Sequence, residues 1–371
     1  MRFIIFFSFW FFFACSEAPG IHYVNSSVLI EDSLTIADVG SLSEFMYMES
    51  INDSTIKSYN VADCSINYYK FDHKRLIYKH SKTIHELPTR GYLPLFFKHN
   101  NYYYQGTEIK QNASGVIYKY DTLYRLVKAI KLTYSFKYLG NNFMLDNGIT
   151  SPLISRGDTI ISVFYHNDVA YIPEYYKENS VAEFVVKKDS IIVGTTYINK
   201  PLESDKYGLR PISYCFNNNT VFAIYPIVDS IYSYNRSTKK EIHFSIGNED
   251  FSKPHYFKED DSDDYFKRLT DYELENFRYG AILFNPITKH YIIFYYLPLD
   301  IKQSKKLLSF RDQKEFAIIL NEKFEILKYV KFDNKYFNQA NYFFIPGKGI
   351  AMPLFKSKSD YENIKYYIYN F

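Results

Sequence analysis

The sequence predicts an all-β fold built from six consecutive antiparallel units, and three observations carry that prediction. Of its 371 residues, 39 are Tyr, 33 Phe and one Trp, against only 14 Gly and 13 Pro. Such side chains suit a pleated surface, and a chain this long can bury a sizeable core. Next, one pattern recurs along the chain: an alternating aromatic and β-branched run, a polar turn, and a second alternating run. Finally, a further pair of strand-like runs precedes these hairpins, which raises the count to four strands per unit.

In chain order the hairpins are INYYKFDHKRLIYKH (66–80), GVIYKYDTLYRLVKAIKL (115–132), VAEFVVKKDSIIVGTTYI (181–198), SIYSYNRSTKKEIHFSIG (230–247) and EFAIILNEKFEILKYVKF (315–332), with a truncated copy, NIKYYIYNF (363–371), at the end. Aligned on Asp72, Asp121, Lys188, Asn235, Asn321 and Asn370, they are spaced by 49, 67, 47, 86 and 49 residues. The preceding pairs are 94–99 with 101–106, 152–155 with 159–166, 210–216 with 220–226, 279–285 with 291–296, and 341–347 with 349–355. Six such units predict a six-bladed β-propeller. The last unit stops after three strands, so the segment 27–39 is expected to donate the fourth, through Ser33 to Val39 or Ser27 to Ile30. That closure would remove an exposed sheet edge. One insertion differs in kind: in EDDSDDYFKRLTDYELENF (259–277), Phe266, Leu269, Tyr272 and Phe277 recur at helical spacing, with Asp263 and Asp264 at the start where the helix dipole favours acids.

Ahead of the repeats, residues 1–14 read MRFIIFFSFWFFFA, one Arg followed by eleven residues of which only Ser8 is not apolar. Eleven helical residues reach about 16 Å, half a bilayer core, so this is a secretory signal and not a spanning helix. The run FFAC, ending at Cys15, resembles the lipobox of bacterial lipoproteins, although Phe12 and Phe13 depart from its aliphatic and small preferences. An ordinary cleaved signal with an incidental Cys is the alternative. Lipid on Cys15, at about 0.8 kcal/mol per buried methylene, would anchor the chain to a membrane. The organisation expected is a signal peptide at 1–14, a lipidated tether at 15–26 and a propeller at 27–371. Ser16 follows the Cys where an Asp retains some lipoproteins in the inner membrane, so an outer-membrane lipoprotein is expected, periplasm-facing or surface-exposed.

Little in the chain points to chemistry. Forty-four basic against 41 acidic residues give a net charge of +3, which supplies no electrostatic reason for a nucleic-acid partner. The acids Asp260, Asp261, Asp263 and Asp264 fail as a calcium loop, because the sixth and twelfth positions hold Tyr265 and Asp271 in place of Gly and Glu. The His residues form no metal-ligand pair, and neither metal nor cofactor is expected. Cys64 and Cys215 fall in different units and are read as buried free thiols, a disulfide being the alternative. The residues singled out for ligand binding are Arg156, Arg210, Arg278 and Tyr279, read as lying near the starts of the innermost strands, where they would face a central funnel able to hold an anion or a sugar. Pairing with neighbouring units is the structural alternative.

Two stretches carry a resemblance: RYGAILFNPITKHYIIF (278–294), with its Asn285-Pro286 turn and Tyr291, and YGLRPISYCFNNNTVFAIYPIVDSIYSYN (207–235). They resemble the DUF4221 family of uncharacterised lipoproteins of Bacteroidota, which is similar to six-bladed TolB-like propellers. The resemblance spans 27–371 and implies fold and envelope location, but no reaction and no catalytic residue. The expected role is a lipid-anchored binding or scaffold module for an envelope protein or a glycan. The alternative is a propeller-type hydrolase or lyase with its site at the channel mouth.

Overall fold

The computed structural model describes residues 21, 23–25, 30–37, 47–52, 54–60, 65–72, 75–84, 97–106, 116–131, 143–145, 154–166, 179–187, 190–199, 212–257, 264–301, 312–332, 343–345, 348–354 and 365–370. Cys15, Cys64 and Arg210 lie outside these residues, as do the 1–14 signal and Asp260, Asp261 and Asp263 of the acidic run. Among the described residues the chain is nearly all β, with one helix. No helix among them is long and apolar enough to cross a membrane.

Two strands, β1 (Tyr23–Asn25) and β2 (Ile30–Ala37), precede β3 (Tyr47–Asn52), β4 (Thr55–Asn60), β5 (Ser65–Asp72) and β6 (Arg75–Thr83). The second group is β7 (Phe97–His99), β8 (Tyr102–Gly106), β9 (Val116–Tyr120) and β10 (Leu126–Lys131). Next come β11 (Phe143–Leu145), β12 (Ile154–Arg156), β13 (Thr159–His166), β14 (Val181–Val186) and β15 (Ile191–Tyr197). The fourth group is β16 (Ser213–Asn217), β17 (Thr220–Ile224), β18 (Ser230–Asn235) and β19 (Lys240–Ser245). Helix α1 (Tyr265–Glu275) leads into β20 (Arg278–Asn285), β21 (His290–Tyr296), β22 (Glu315–Leu320) and β23 (Ile326–Lys331). The chain ends with β24 (Phe343–Ile345), β25 (Gly349–Leu354) and β26 (Lys365–Tyr369).

Within each group, neighbours in sequence pair antiparallel, with one addition in the third, where the short strands β11 and β12 share β13. The turns explain why. In one type, Asp121 Oδ1 accepts the amides of Leu123 and Arg125, and Asn321 Oδ1 those of Lys323 and Glu325. The fourth residue is then left-handed, Tyr124 at φ 58° and Phe324 at φ 64°. In the other type, Asn235 Oδ1 accepts the amides of Ser237 and Thr238, and Asn285 Oδ1 that of Ile287, with Lys239 and Lys289 left-handed at φ 56° and 59°. A side-chain carbonyl or carboxylate thus fixes these four hairpin reversals.

The cores lie between successive sheets. Because a strand presents alternate residues to opposite faces, β21 sends Tyr291, Ile293 and Tyr295 against Phe222, Ile224 and Ile231 of the fourth sheet, and Ile292 and Phe294 against Ile350 and Met352 of the last. Tyr197 of the third sheet stacks on Tyr234 of the fourth, with ring centres 4.1 Å apart and planes 6° from parallel. Arg236, in the turn after β18, forks onto the Glu183 carboxylate of β14. Cys215 is a buried free thiol whose pKa burial pushes upward.

One feature departs from the sequence reading and another agrees with it. The stretch 15–26 was expected to be tether throughout, but Tyr23–Asn25 forms β1, parallel to β23 on the outer edge of the fifth sheet. Its packing supplies the reason: the Tyr23 ring sits on Phe316 and Tyr329, centroids 5.2 and 5.9 Å away, and its hydroxyl donates to Asp250 at 2.5 Å. The expected N-terminal strand is present beside the last group: β2, which overlaps both candidate segments, runs antiparallel to β26 from Ile30 opposite Tyr369 to Thr35 opposite Lys365. Its far end, Thr35 to Ala37, lies parallel to Arg75–Ile77 of β6. One strand therefore joins the last and first groups into a single eight-stranded sheet.

Helix α1 falls within the stretch of helical spacing. Asp264 occupies its N-cap without accepting a backbone amide through its side chain, and instead pairs with Arg268 one turn on, at 3.2 Å.

Candidate functional site

The arginines chosen from the sequence do not converge. Arg156 is the last residue of β12, at the reversal into β13, whereas Arg278 is the first residue of β20, so the two mark opposite ends of the first strands of their hairpins. The expectation that both stand at strand starts fails for Arg156, because β12 is only three residues long and begins at Ile154. The Arg156 guanidinium lies 5.4 Å from the Phe216 ring of the next sheet. Arg278 and Tyr279 are adjacent and so face opposite sides of the sheet. Tyr279 is buried and donates to Asp229 at 2.5 Å; burial and then that carboxylate hold its phenol protonated.

Arg278 belongs to a closed cluster at one end of the fifth sheet. Its guanidinium covers the Tyr296 ring at 4.0 Å and donates to Gln313 Oε1 at 3.0 Å. Tyr296 sits opposite Glu315 on the adjoining strand and donates to it at 3.3 Å. Gln313 Nε2 in turn donates to the carbonyls of Glu273 and Leu274 in the last turn of α1, at 3.3 and 3.4 Å. Glu315 is 5% exposed, and burial pushes its carboxyl up to about 7 against the opposing pull of the Tyr296 hydroxyl and the Arg278 charge.

A more open group, which the sequence did not disclose, forms where the first two sheets meet. Lys57 on β4, Tyr68 on β5 and His80 on β6 stand opposite one another across three strands. The Tyr68 and His80 rings stack at 4.7 Å, and Lys82 Nζ approaches the Tyr68 face at 5.6 Å. From the second sheet, Tyr124 brings its hydroxyl to 3.2 Å from that of Tyr68 and stacks on Tyr103 at 4.5 Å, while Lys57 Nζ lies 5.4 Å from the Tyr103 ring. Tyr124, left-handed at φ 58°, is fully buried. Burial, then the Tyr68 and Tyr103 hydroxyls, raise the Tyr124 phenol pKa and keep it a hydrogen-bond donor. Tyr68, Tyr103, Lys57 and Lys82 are half-buried and His80 is exposed, so the row opens to solvent. Lys119 adds a cation 3.6 Å from the exposed Tyr102 ring on the same pair of strands.

Charge follows the same division. Residues 47–131 contain 13 Lys and Arg against seven Asp and Glu, although the whole chain is near balance at 44 against 41. Flat aromatic faces beside ammonium groups suit a ligand with both apolar faces and negative charge, such as a uronic or sulfated sugar or an acidic peptide. The one sequence signal for this row is the hairpin around Asp72, whose register sets Tyr68 opposite His80 after a single bulge. Among the described residues no group of three or more His, Cys, Asp or Glu is placed to hold a metal ion.

No family model matches the sequence, and no curated protein matches it. Solved structures do match in shape. A member of the DUF4221 family from Bacteroides vulgatus superposes with a TM-score of 0.69 at 15% identity, covering 92% of this chain and 97% of that one. A Bacteroides fragilis protein that bears the designation of an exported protein superposes with a TM-score of 0.51 at 12% identity, covering 95% of this chain and 98% of that one. Over nearly its whole length, therefore, this chain has the fold of a DUF4221 family protein.

Proposed function

We propose that this chain is a six-bladed β-propeller of the DUF4221 type, held at the outer membrane by lipid on Cys15, that binds an acidic envelope partner, a protein or a glycan, along the tyrosine and lysine row between its first two sheets. Support for the ring comes from cores shared by successive sheets and from the approach of β7 to β12, β16 to β20 and β24 to β3. The β2–β26 pairing supplies the fourth strand of the last unit.

The binding reading rests on one observation, the solvent-open row of Lys57, Tyr68, His80 and Lys82 backed by Tyr103 and Tyr124. Its test uses heparin and dextran sulfate as anionic glycan probes, neutral dextran as the control, and an envelope pull-down for protein partners. Retention by an anionic probe or an acidic protein should fall at least tenfold in Lys57→Ala/Lys82→Ala, and should weaken as salt is raised. Retention that is unchanged in that variant would sink the assignment to this row. Location is tested separately: protease shaving of intact cells and palmitate labelling should both depend on Cys15.

The hydrolase or lyase reading has one residue in its favour, Glu315, an acid held near neutrality beside Tyr296 and Arg278. Hydrolysis of a glycan by the native chain that disappears in Glu315→Gln would establish it.

A further inference from the structure

The N-terminal end of the folded body is clamped at one place. Tyr23 pairs with Tyr329, Val24 with Val330 and Asn25 with Lys331, which adds β1 to the outer edge of the fifth sheet. Asp250 accepts the Tyr23 hydroxyl and the Tyr295 hydroxyl, both at 2.5 Å, and Ile21 packs on the core between the fourth and fifth sheets. Two phenols on one carboxylate make this attachment more than an edge pairing, since freeing either hydroxyl leaves a polar group without its charged partner.

Cys15 precedes Tyr23 by only eight residues. Even fully extended, eight residues reach about 28 Å. A folded body of this size is about 50 Å across, from the scaling of radius of gyration with length. A lipid on Cys15 therefore cannot reach around the molecule, and β1 has to lie within about 28 Å of the bilayer, on the nearer half of the body. In a ring of six, the second sheet stands opposite the fifth.

We propose that β1 is an orienting clasp that sets the outer edge of the fifth sheet toward the lipid surface and turns the tyrosine and lysine row of the first two sheets away from it. This inference rests on the six-bladed ring and on the lipid-anchor reading of Cys15, and the experiment separates the anchor from the orientation. Full-length lipidated protein, with Cys64→Ser and Cys215→Ala, is reconstituted into phosphatidylethanolamine and phosphatidylglycerol vesicles carrying a nitroxide on the headgroup. A fluorophore is placed at Leu327→Cys in β23 or at Val127→Cys in β10, both exposed positions. Only labelled variants that keep the parent melting temperature are compared. Quenching at position 327 should exceed that at 127 by at least threefold, and Tyr23→Phe should narrow the difference. Equal quenching, or stronger quenching at 127, overturns the orientation. Cys15→Ser serves as the separate control: loss of vesicle binding upholds the anchor whatever the probes show, whereas full retention overturns both the anchor and the clasp that depends on it.

Discussion

At the scale of single residues, Glu315 offers the sharpest prediction. Its folded-state pKa of about 7 stands above the unfolded value, so between those two values the folded chain holds a proton that the unfolded chain has released. Stability must then fall as pH rises through that window, by about 3 kcal/mol for a shift of this size. Urea unfolding at pH 5 and pH 8 should show the decline, and Glu315→Gln should remove most of it. A second residue-scale prediction concerns Lys289, which carries a side chain at φ 59°. Lys289→Gly should stabilise the chain by about 0.5–1 kcal/mol in the same assay, because glycine adopts that conformation without steric cost. Neither effect was legible beforehand. The Glu315 shift comes from burial, which exists only once separate segments of the chain have packed around it, and a left-handed lysine looks like any other in a sequence.

At the scale of elements, legibility followed locality. The hairpins at Asp121, Asn235, Asn285 and Asn321 could be read because alternation and the turn side chain sit within one short window. Asn321→Ala, which frees the amides of Lys323 and Glu325, should cost about 1–2 kcal/mol in chemical denaturation and should raise hydrogen exchange in β22 and β23 before other strands. By contrast, β1 was read as tether, and β11 went unassigned. Three residues contain too little periodicity to declare a strand, and the partner of β1 is some 300 residues away. The same gap misplaced Arg156, whose position at the end of β12 depends on where a three-residue strand begins. Tyr23→Phe should loosen β1 selectively, seen as faster exchange of the Val24 and Asn25 amides with the other sheets unchanged.

At the scale of the whole molecule, composition and repeat spacing together announced an all-β chain of stacked sheets, and the shape shared with the Bacteroides vulgatus protein agrees. The candidate binding row stayed hidden because Lys57, Tyr68, His80, Tyr103 and Tyr124 come from two sheets and meet only when those sheets pack. The position of β2 carries the broadest prediction. A chain lacking residues 1–38 exposes β26 and β6 as open edges and should form oligomers in size-exclusion chromatography under conditions where the chain starting at residue 21 does not. The same strand bears on the order of events in time. During synthesis β2 emerges more than 300 residues before its antiparallel partner β26. Contacts of such high sequence separation form late, so the eight-stranded sheet cannot be completed before β26 has been made. A protein built this way stays open at one seam for as long as β26 is missing.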